Sequence, residues 1–292
     1  MSPAATQIRR RGVSGVVRAA AAAGAAVLAT AAVAGAEPEA APAAATEPAA
    51  GNALTGLEIA TRADEVSRFK TERNVLTMTL ENKRGQQRVR TIEGWSREIS
   101  DDEEHRFSRF LEPSDVKDTT LLSYDYDQKD DDTWLFLPAL KKVKRILTSN
   151  KDDYFMGSDF TYEDMENRDL VNWDYNLTGE ETLDGVDCYT VEAVPNNDAE
   201  RDESGYSKTV AWIGKDDFVA RRVDLYDKKD RLAKRLLASD IRPVGTDPPK
   251  PRPHRLAMDN FITKHKTVLE TREVQVDIPL RDDIFSQRNL RQ

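Results

Sequence analysis

Residues that could do acid–base, nucleophilic or metal chemistry are few and scattered in this 292-residue sequence. The three histidines, His105, His254 and His265, lie in separate segments, and none stands at metal-ligand spacing from another. The single cysteine, Cys188, has no nucleophile motif around it, and the sequence contains no G-x-S-x-G elbow and no Gly-rich phosphate loop. The sequence therefore predicts no catalytic residue, no metal site and no cofactor, which argues against an enzyme.

Carboxylates are densest in residues 125–132, which read DYDQKDDD. Such a run could suggest a calcium loop, but it lacks the glycine at the sixth position and the closing glutamate of an EF-hand. We therefore interpret it as a solvated hairpin tip rather than a metal site.

A basic segment close to an acidic one offers a second kind of chemistry, an ion pair that opens and closes. Arg145 ends a basic run that begins at Lys141, and a short acidic segment follows at residues 157–166. We expect Arg145 to act as a latch by pairing with Asp159 or Asp164, although a solvated strand face would show the same pattern. Ser158 or Asp159 could cap the short acidic helix.

Alternating apolar and polar residues predict the elements that must position these groups. Residues 54–70 have helical spacing, and most of the later chain has the period of two that is typical of strands. We count about eleven strands, antiparallel because the connections are short, and the Pro-rich residues 243–253 are expected to interrupt them. A single sheet of this size must curl or split.

Several ordered motifs resemble those of the bacterial outer membrane lipoprotein-sorting protein family, the RND-transporter-associated branch of the LolA/LolB-like superfamily. The resemblance covers about residues 75–290. The first motifs that carry it are WLFLP at residues 134–138 and GSDF at residues 157–160. It continues with DGVDCY at 184–189, GYSK at 205–208, AWI at 211–213, HKT at 265–267 and IF at 284–285 ahead of Leu290. It implies a half-open, incomplete β-barrel whose strongly curved sheet has short helices plugging the concave face.

The resemblance also implies a function. It predicts a periplasmic carrier that binds a lipid, a lipoprotein acyl chain or another hydrophobic molecule and moves it between the envelope membranes. The implied partner is an RND-type inner-membrane transporter, contacted transiently. The alternative is an accessory subunit that docks on such a transporter and carries nothing.

A carrier needs an apolar cavity and a cover, and the strands supply candidates for both. For each aromatic residue among the cavity candidates, the alternative to lining a cavity is ordinary packing in the core. The cavity candidates are Leu76, Met78, Leu80, Trp95, Phe107, Trp134, Phe136, Tyr175 and Trp212. The predicted cover, called the lid below, is residues 155–167, with Phe155, Gly157, Ser158, Asp159, Phe160, Tyr162 and Asp164 as its main residues.

The N-terminus predicts export. Residues 1–36 combine four arginines, an Ala-rich apolar run and small residues up to Ala36, the layout of a cleaved secretory signal. An uncleaved anchor is the alternative, and the Sec and twin-arginine routes stay open. The cleavage region has no cysteine to lipidate. Residues 37–53 should form a disordered leader, and residues 54–292 one carrier domain in the periplasm.

The net charge of the chain indicates which classes of partner it can bind. The formal net charge is −9, and loss of the four signal arginines makes the mature chain four charges more negative. A nucleic acid is not expected as a partner because binding phosphates needs a basic surface. We expect a monomer whose acidic surface visits a basic docking site on a membrane protein.

Overall fold

The computed structural model describes residues 13–14, 54–126, 129–168 and 170–291. Apart from Val13 and Ser14, the predicted signal (residues 1–36) and leader (residues 37–53) lie outside the described residues. Within the described residues, no helix is both long enough and apolar enough to cross a membrane.

One sheet of thirteen strands dominates the molecule. The strands are β1 Thr71–Glu81, β2 Gln87–Ser100, β3 Glu103–Glu112, β4 Thr120–Tyr126, β5 Asp132–Leu137, β6 Lys142–Ile146, β7 Trp173–Leu183, β8 Val186–Pro195, β9 Tyr206–Gly214, β10 Ala220–Asp227, β11 Leu232–Val244, β12 Lys250–Asn260 and β13 His265–Val276.

The chain enters this sheet at its centre and leaves it there. β1 pairs with β13, the chain runs outwards from β1 to one edge at β6, and residues 147–172 then carry it to the opposite edge at β7. From β7 it returns strand by strand to β13, and every pairing is antiparallel. The prediction of one open antiparallel sheet with few short helices is confirmed, with thirteen strands in place of about eleven.

The Pro-rich residues 243–253 interrupt the strands only at residues 245–249, so the predicted interruption is wrong for the residues on either side. Pro243 pairs with Pro251, and Ile241 pairs with Pro253, at the end of the β11–β12 ladder. The register explains why proline is tolerated there. The pairing of β11 with β10 stops at Leu237, and the pairing of β12 with β13 begins at Arg255. The prolines therefore face locally unpaired edges, where a missing N–H costs no ladder hydrogen bond.

In the part of the chain that the structure describes, three short helices accompany the sheet: α1 Gly56–Ser67, α2 Tyr162–Met165 and α3 Asp198–Glu203. A capping box between Thr55 and Glu58 begins α1. A Cβ on Gly56 would lie 2.5 Å from the carbonyl oxygen of Tyr175, so only glycine lets α1 approach β7 this closely. Single turns of 3₁₀ helix lie at Pro138–Leu140, Thr148–Asn150, Phe155–Gly157, Leu170–Asn172, Asp282–Phe285 and Asn289–Arg291.

The two faces of the sheet are covered by different parts of the chain. The inner face carries α1 and the lid, which pack on two apolar clusters that share the partly buried residues Tyr175, Ala211 and Ala220. The outer face carries the C-terminal strap, residues 280–291, over a smaller apolar cluster beside β2–β6. Val13–Ser14 pairs with Asn167–Arg168 as a separate two-residue ladder.

Candidate functional site

An apolar cavity of about 150 Å³ lies on the inner face, between the lid and strands β1–β5. Strand register explains its floor, because Leu76 pairs with Ile92 and Met78 follows Leu76 two residues later on the same face. Its roof is formed by the lid. The apolar lining residues are Leu76, Met78, Ile92, Trp95, Phe107, Leu121, Phe155, Phe160, Tyr162, Met165 and Leu269.

The floor of this cavity becomes polar towards one end. Ser96, Arg106, Ser123 and Thr133 are successive partners across β2, β3, β4 and β5, and all four line the cavity. Thr133 also lines a second cavity, of about 480 Å³, and so does Glu166 of the lid region. The apolar cavity therefore shares a polar wall with a larger compartment.

That larger compartment is mostly acidic. Its charged lining residues are Asp130, Asp131, Glu163, Glu166, Glu200 and Glu203 against Lys129, Lys151 and Arg168. Burial, reinforced by Asp125, raises the pKa of Glu166 to about 8. Burial likewise raises the pKa of Asp131 to about 9, with Asp125 and Glu166 adding to the shift.

Within the predicted hairpin tip, Lys129 and Asp130 are exposed, but Asp125 is less solvated than we predicted. Asp125 is only 3 % exposed and forms an ion pair with Arg106 on the neighbouring strand. Its position on β4, next to the polar end of the cavity floor, explains this burial. No group of His, Cys, Asp and Glu suited to a metal ion occurs in the described part of the chain.

Three aromatic side chains anchor the lid in the core. Phe155, Phe160 and Tyr162 are 2 %, 1 % and 7 % exposed. The ring of Phe155 lies 5.8 Å from that of Phe110 and 5.7 Å from that of Tyr162. The lid therefore fills much of the space that strands β1–β5 enclose.

The helix within the lid is shorter than we predicted and begins later. It spans only Tyr162–Met165, and Thr161 caps it by a capping box with Asp164. Ser158 does not cap it, since the Ser158 hydroxyl donates to the carbonyl of Phe155 and accepts from the amide of Phe160. Gly157 before it has a φ of +73°, a conformation that favours glycine.

A buried ion pair holds the lid on the sheet. Lys234 Nζ of β11 lies 2.6 Å from Asp164 Oδ2, with side chains only 4 % and 1 % exposed. The hydroxyl of Tyr206 donates to the other oxygen of Asp164 at 2.7 Å. Lys234 Nζ also donates to the carbonyl of Asp159 at 3.2 Å. A charge at this depth is stable only when it is paired and hydrogen-bonded, as Asp164 is.

Asp159 provides a second anchor. The hydroxyl of Thr267 on β13 donates to Asp159 Oδ2 at 2.7 Å and accepts from the Asp159 amide at 2.9 Å. Burial raises the pKa of Asp159. Arg90 of β2 adds a third anchor by donating to the carbonyl of Met156 at 2.7 Å.

The predicted latch, an ion pair of Arg145 with Asp159 or Asp164, does not form in this structure. Arg145 pairs with Asp132 on the adjacent strand β5, and its side chain is 55 % exposed. Asp164 pairs instead with Lys234. Arg145 lies in edge strand β6, whereas Lys234 reaches the lid from the other half of the sheet. Lys234 was missed, although a lysine that shares a face with Leu236 and Ala238 is a recognisable exception in the strand pattern.

Four of the aromatic cavity candidates have side chains on the outer face. Trp95, Phe107, Trp134 and Phe136 form one cluster with the C-terminal strap. Their neighbours along each strand, such as Leu121 and Leu135, face inwards instead. Trp95 and Phe107 are nevertheless also among the residues that line the cavity. The strap is held by hydrogen bonds from Tyr124 to the carbonyl of Phe285 and from Thr120 to that of Leu290. Alternation in the sequence separates two faces but does not say which one is inner.

The remaining candidates are also divided. Leu76 and Met78 line the cavity, and Leu80 packs against the same core. Tyr175 packs near α1, in the other half of the inner face. Trp212 lies on the outer face, where its Nε1 donates to Glu181 at 2.6 Å and the guanidinium of Arg222 stacks 4.0 Å from its ring.

Comparison with known proteins agrees with this fold. A DUF1329 family model, described as a protein of unknown function, matches residues 18–183, and a model described as an uncharacterized protein matches residues 102–292. No curated protein matches the chain. A LolA superfamily protein from Nitrosomonas europaea is 19 % identical with a TM-score of 0.62, covering 81 % of this chain and 100 % of that one, and shows the shared fold.

Two solved structures are more similar in sequence. A DUF1329 family protein from Desulfovibrio piger is 32 % identical with a TM-score of 0.75, covering 80 % of this chain and 97 % of that one. A putative outer membrane lipoprotein-sorting protein domain from Vibrio parahaemolyticus is 31 % identical with a TM-score of 0.75, covering 81 % and 98 %. The resemblance stated from the motifs is thus confirmed, and the chain belongs to the DUF1329 family.

Proposed function

We propose that this protein is a periplasmic carrier that binds a lipid, a lipoprotein acyl chain or another hydrophobic molecule beneath the lid. The observation that carries the proposal is an apolar cavity roofed by a discrete chain segment, on the fold of proteins named for lipoprotein sorting. Transfer of this kind needs only binding and release.

The size of the cavity implies that the lid moves. A cavity of about 150 Å³ holds a molecule the size of benzene, whereas ligand pockets usually measure roughly 300–1,000 Å³. The side chains of Phe155, Phe160 and Tyr162 occupy space that a longer chain would need. We therefore infer that an acyl chain replaces these aromatic groups as the lid swings out.

Such an exchange suits a carrier that must also release its cargo. An acyl chain gains about 25 cal/mol for each Å² of apolar surface that it buries. The displaced aromatic side chains lose a comparable free energy of burial when they leave the core. The net free energy of loading is then small, and contact with a partner protein can reverse it.

We place this carrier in the periplasm, exported by its N-terminal signal, and we propose an RND-type transporter as its partner. A docking subunit that carries nothing is the second candidate. The buried pair of Lys234 with Asp164 favours it, because a strongly anchored lid would keep the cavity closed.

The test measures bound lipid and lipid binding with the mature protein. Mass spectrometry after organic extraction, together with titration of delipidated protein with palmitate, should show about one equivalent of lipid. Leu121→Trp should abolish binding because the larger ring fills the cavity. The matched control is Val89→Trp, at a residue that is 49 % exposed on β2, and it should bind as the wild type does. Absence of lipid and of palmitate binding in the wild type would contradict the carrier and favour the docking subunit.

A further inference from the structure

A residue in the wall of the apolar cavity carries a polar atom that has no hydrogen-bond partner among the described residues. Asn74 on β1 lines the cavity and is only 3 % exposed. Its side-chain oxygen, Oδ1, is buried and accepts no hydrogen bond from any residue that the structure describes. A buried acceptor without a donor costs about 1–3 kcal/mol, so this oxygen is a place where a bound molecule could recover free energy.

The orientation of the Asn74 amide is determined by its neighbours. Asn74 Nδ2 donates to Glu72 Oε1 at 2.8 Å, and Arg252 holds Glu72 in an ion pair of 2.9 Å. Both charged side chains are 4 % exposed. An ionised carboxylate can only accept hydrogen bonds, so the NH₂ group of Asn74 must face Glu72. The carbonyl oxygen is then directed away from the ion pair.

Gly94 makes room for this oxygen. It is the partner of Asn74 on β2, and it lines the same cavity. A Cβ at position 94 would lie 2.8 Å from Asn74 Oδ1, too close for any side chain without displacing the amide. The amide therefore rests over a glycine, beside apolar residues such as Leu76 and Leu121.

We propose that the cavity selects hydrophobic molecules that carry a hydrogen-bond donor, a hydroxyl or an amide N–H, on their apolar body, and that Asn74 Oδ1 accepts this donor. The inference rests on the proposed carrier function and specifies its ligand class. A site built to hydrogen-bond a ligand group discriminates strongly against an analogue that lacks the group, since its own polar atom is then left unpaired.

The test compares two small probes of equal size, phenol and toluene, which fit a cavity of about 150 Å³. Their dissociation constants are measured by calorimetry for the wild type and for Asn74→Leu, and the phenol-to-toluene affinity ratio is compared between the two proteins. The ratio should fall about tenfold in the variant, equivalent to about 1.4 kcal/mol. Using the ratio cancels the difference in water solubility between the probes.

Two further variants separate the hydrogen bond from general effects. Gly94→Ala keeps Asn74 but displaces its amide, so it should also lower the ratio. Thr77→Val is the matched control. Thr77 is a buried residue of β1 whose hydroxyl likewise has no partner among the described residues, but it does not line the cavity. Its ratio should equal that of the wild type.

The outcomes distinguish this inference from the carrier proposal. An unchanged ratio in Asn74→Leu, with both probes bound, would overturn the role of Asn74 and leave the carrier standing. A ratio that fell equally in Thr77→Val would also overturn it. If neither probe nor palmitate bound to the wild type, the carrier proposal would fail and this inference with it.

Discussion

Helix α1 and the lid cover two halves of the same inner face, and they do so by different means. α1 packs Ile59, which is fully buried, against Val191 of β8 and Ile213 of β9. Lys250 and Arg252 of β12 add hydrogen bonds to backbone carbonyls at its C-terminal end, but no side chain of α1 forms a buried ion pair with the sheet among the pairs described. The lid also buries aromatic rings, but Asp159 and Asp164 fasten it to the sheet through ionic and polar contacts. The apolar cavity lies under the lid.

This difference suggests that α1 is a permanent part of the core and that the lid is a removable one. If α1 left the sheet, the apolar contacts of Ile59 would be lost with no other contacts to replace them, and the protein would be less stable. A buried ion pair adds little net stability against an apolar substitute, yet breaking one member of it is costly. In the proposed carrier, the lid would therefore be held firmly in one position and still be exchanged for a ligand that compensates its apolar contacts.

Loss of the lysine should have the largest effect. Lys234→Met leaves the Asp164 carboxylate buried without a cation, which typically costs about 3–5 kcal/mol in the free energy of unfolding. Urea denaturation measures this loss. Adding Asp164→Asn to the same variant removes the buried charge and should restore much of the stability. A Lys234→Met protein within about 1 kcal/mol of the wild type would show that the lid is not held by this pair.

Two adjacent leucines of β4 separate the faces. Leu121 lines the cavity and Leu122 is fully buried beneath the C-terminal strap. Truncation of either to alanine should cost about 2–5 kcal/mol in stability. Only Leu121→Ala should change the dissociation constant for palmitate, because only it alters the cavity. Equal changes in palmitate binding for the two variants would mean that the inner face is not the binding face.

The N-caps of α1 and of the lid helix form a smaller matched pair. Thr55 accepts from the Glu58 amide at 3.2 Å, and Thr161 accepts from the Asp164 amide at 3.3 Å. Each change to alanine should cost about 0.5–2 kcal/mol in stability. Thr161→Ala should also tighten palmitate binding, since it weakens the closed form that competes with the ligand. Thr55→Ala should leave the affinity for palmitate unaltered. Tighter palmitate binding in both variants would contradict the distinction between α1 as a permanent part of the core and the lid as a removable one.

The smallest expected effect concerns pH. The pKa of Glu166 is raised from 4.5 to about 8, so the folded protein keeps a proton that the unfolded chain releases above about pH 4.5. Its contribution to stability is complete below pH 4.5 and is lost as the pH rises towards 8. Asp125, Glu163, Lys151 and Arg106 are the charged groups that act on it.

Glu166→Gln removes this contribution. Urea midpoints measured from pH 4.5 to 8 should therefore fall less steeply in Glu166→Gln than in the wild type. Identical slopes in the two proteins would show that Glu166 titrates normally.

Much of the fold could be predicted from sequence because it depends on local patterns. Alternation within strands such as β1, the short connections and the helical spacing confined to residues 54–70 indicate an antiparallel sheet with few helices. The pairing of β1 with β13 depends on residues about two hundred positions apart, such as Leu80 and Thr267, and no local pattern specifies it.

The candidate site was less predictable for the same reason. Phe160 and Tyr162, two residues of the predicted lid, are buried, but the partner of Asp164 comes from β11. The aromatic residues Trp134 and Phe136 have the period of an inward-facing strand, yet the C-terminal strap makes their side of the sheet a second core. A period of two identifies both faces equally, and only tertiary contacts decide which one encloses a cavity.

Hydrogen exchange of the lid with and without palmitate tests the central claim most directly. In the free protein, the amides of residues 157–166 should exchange faster than those of β8, because a lid opens without unfolding the sheet. Saturating palmitate should change the exchange rates of residues 157–166 and leave those of α1 and β8 unaltered. Exchange of residues 157–166 that is as slow as that of β8 in both states, with palmitate bound, would contradict the account and identify the lid as a fixed plug.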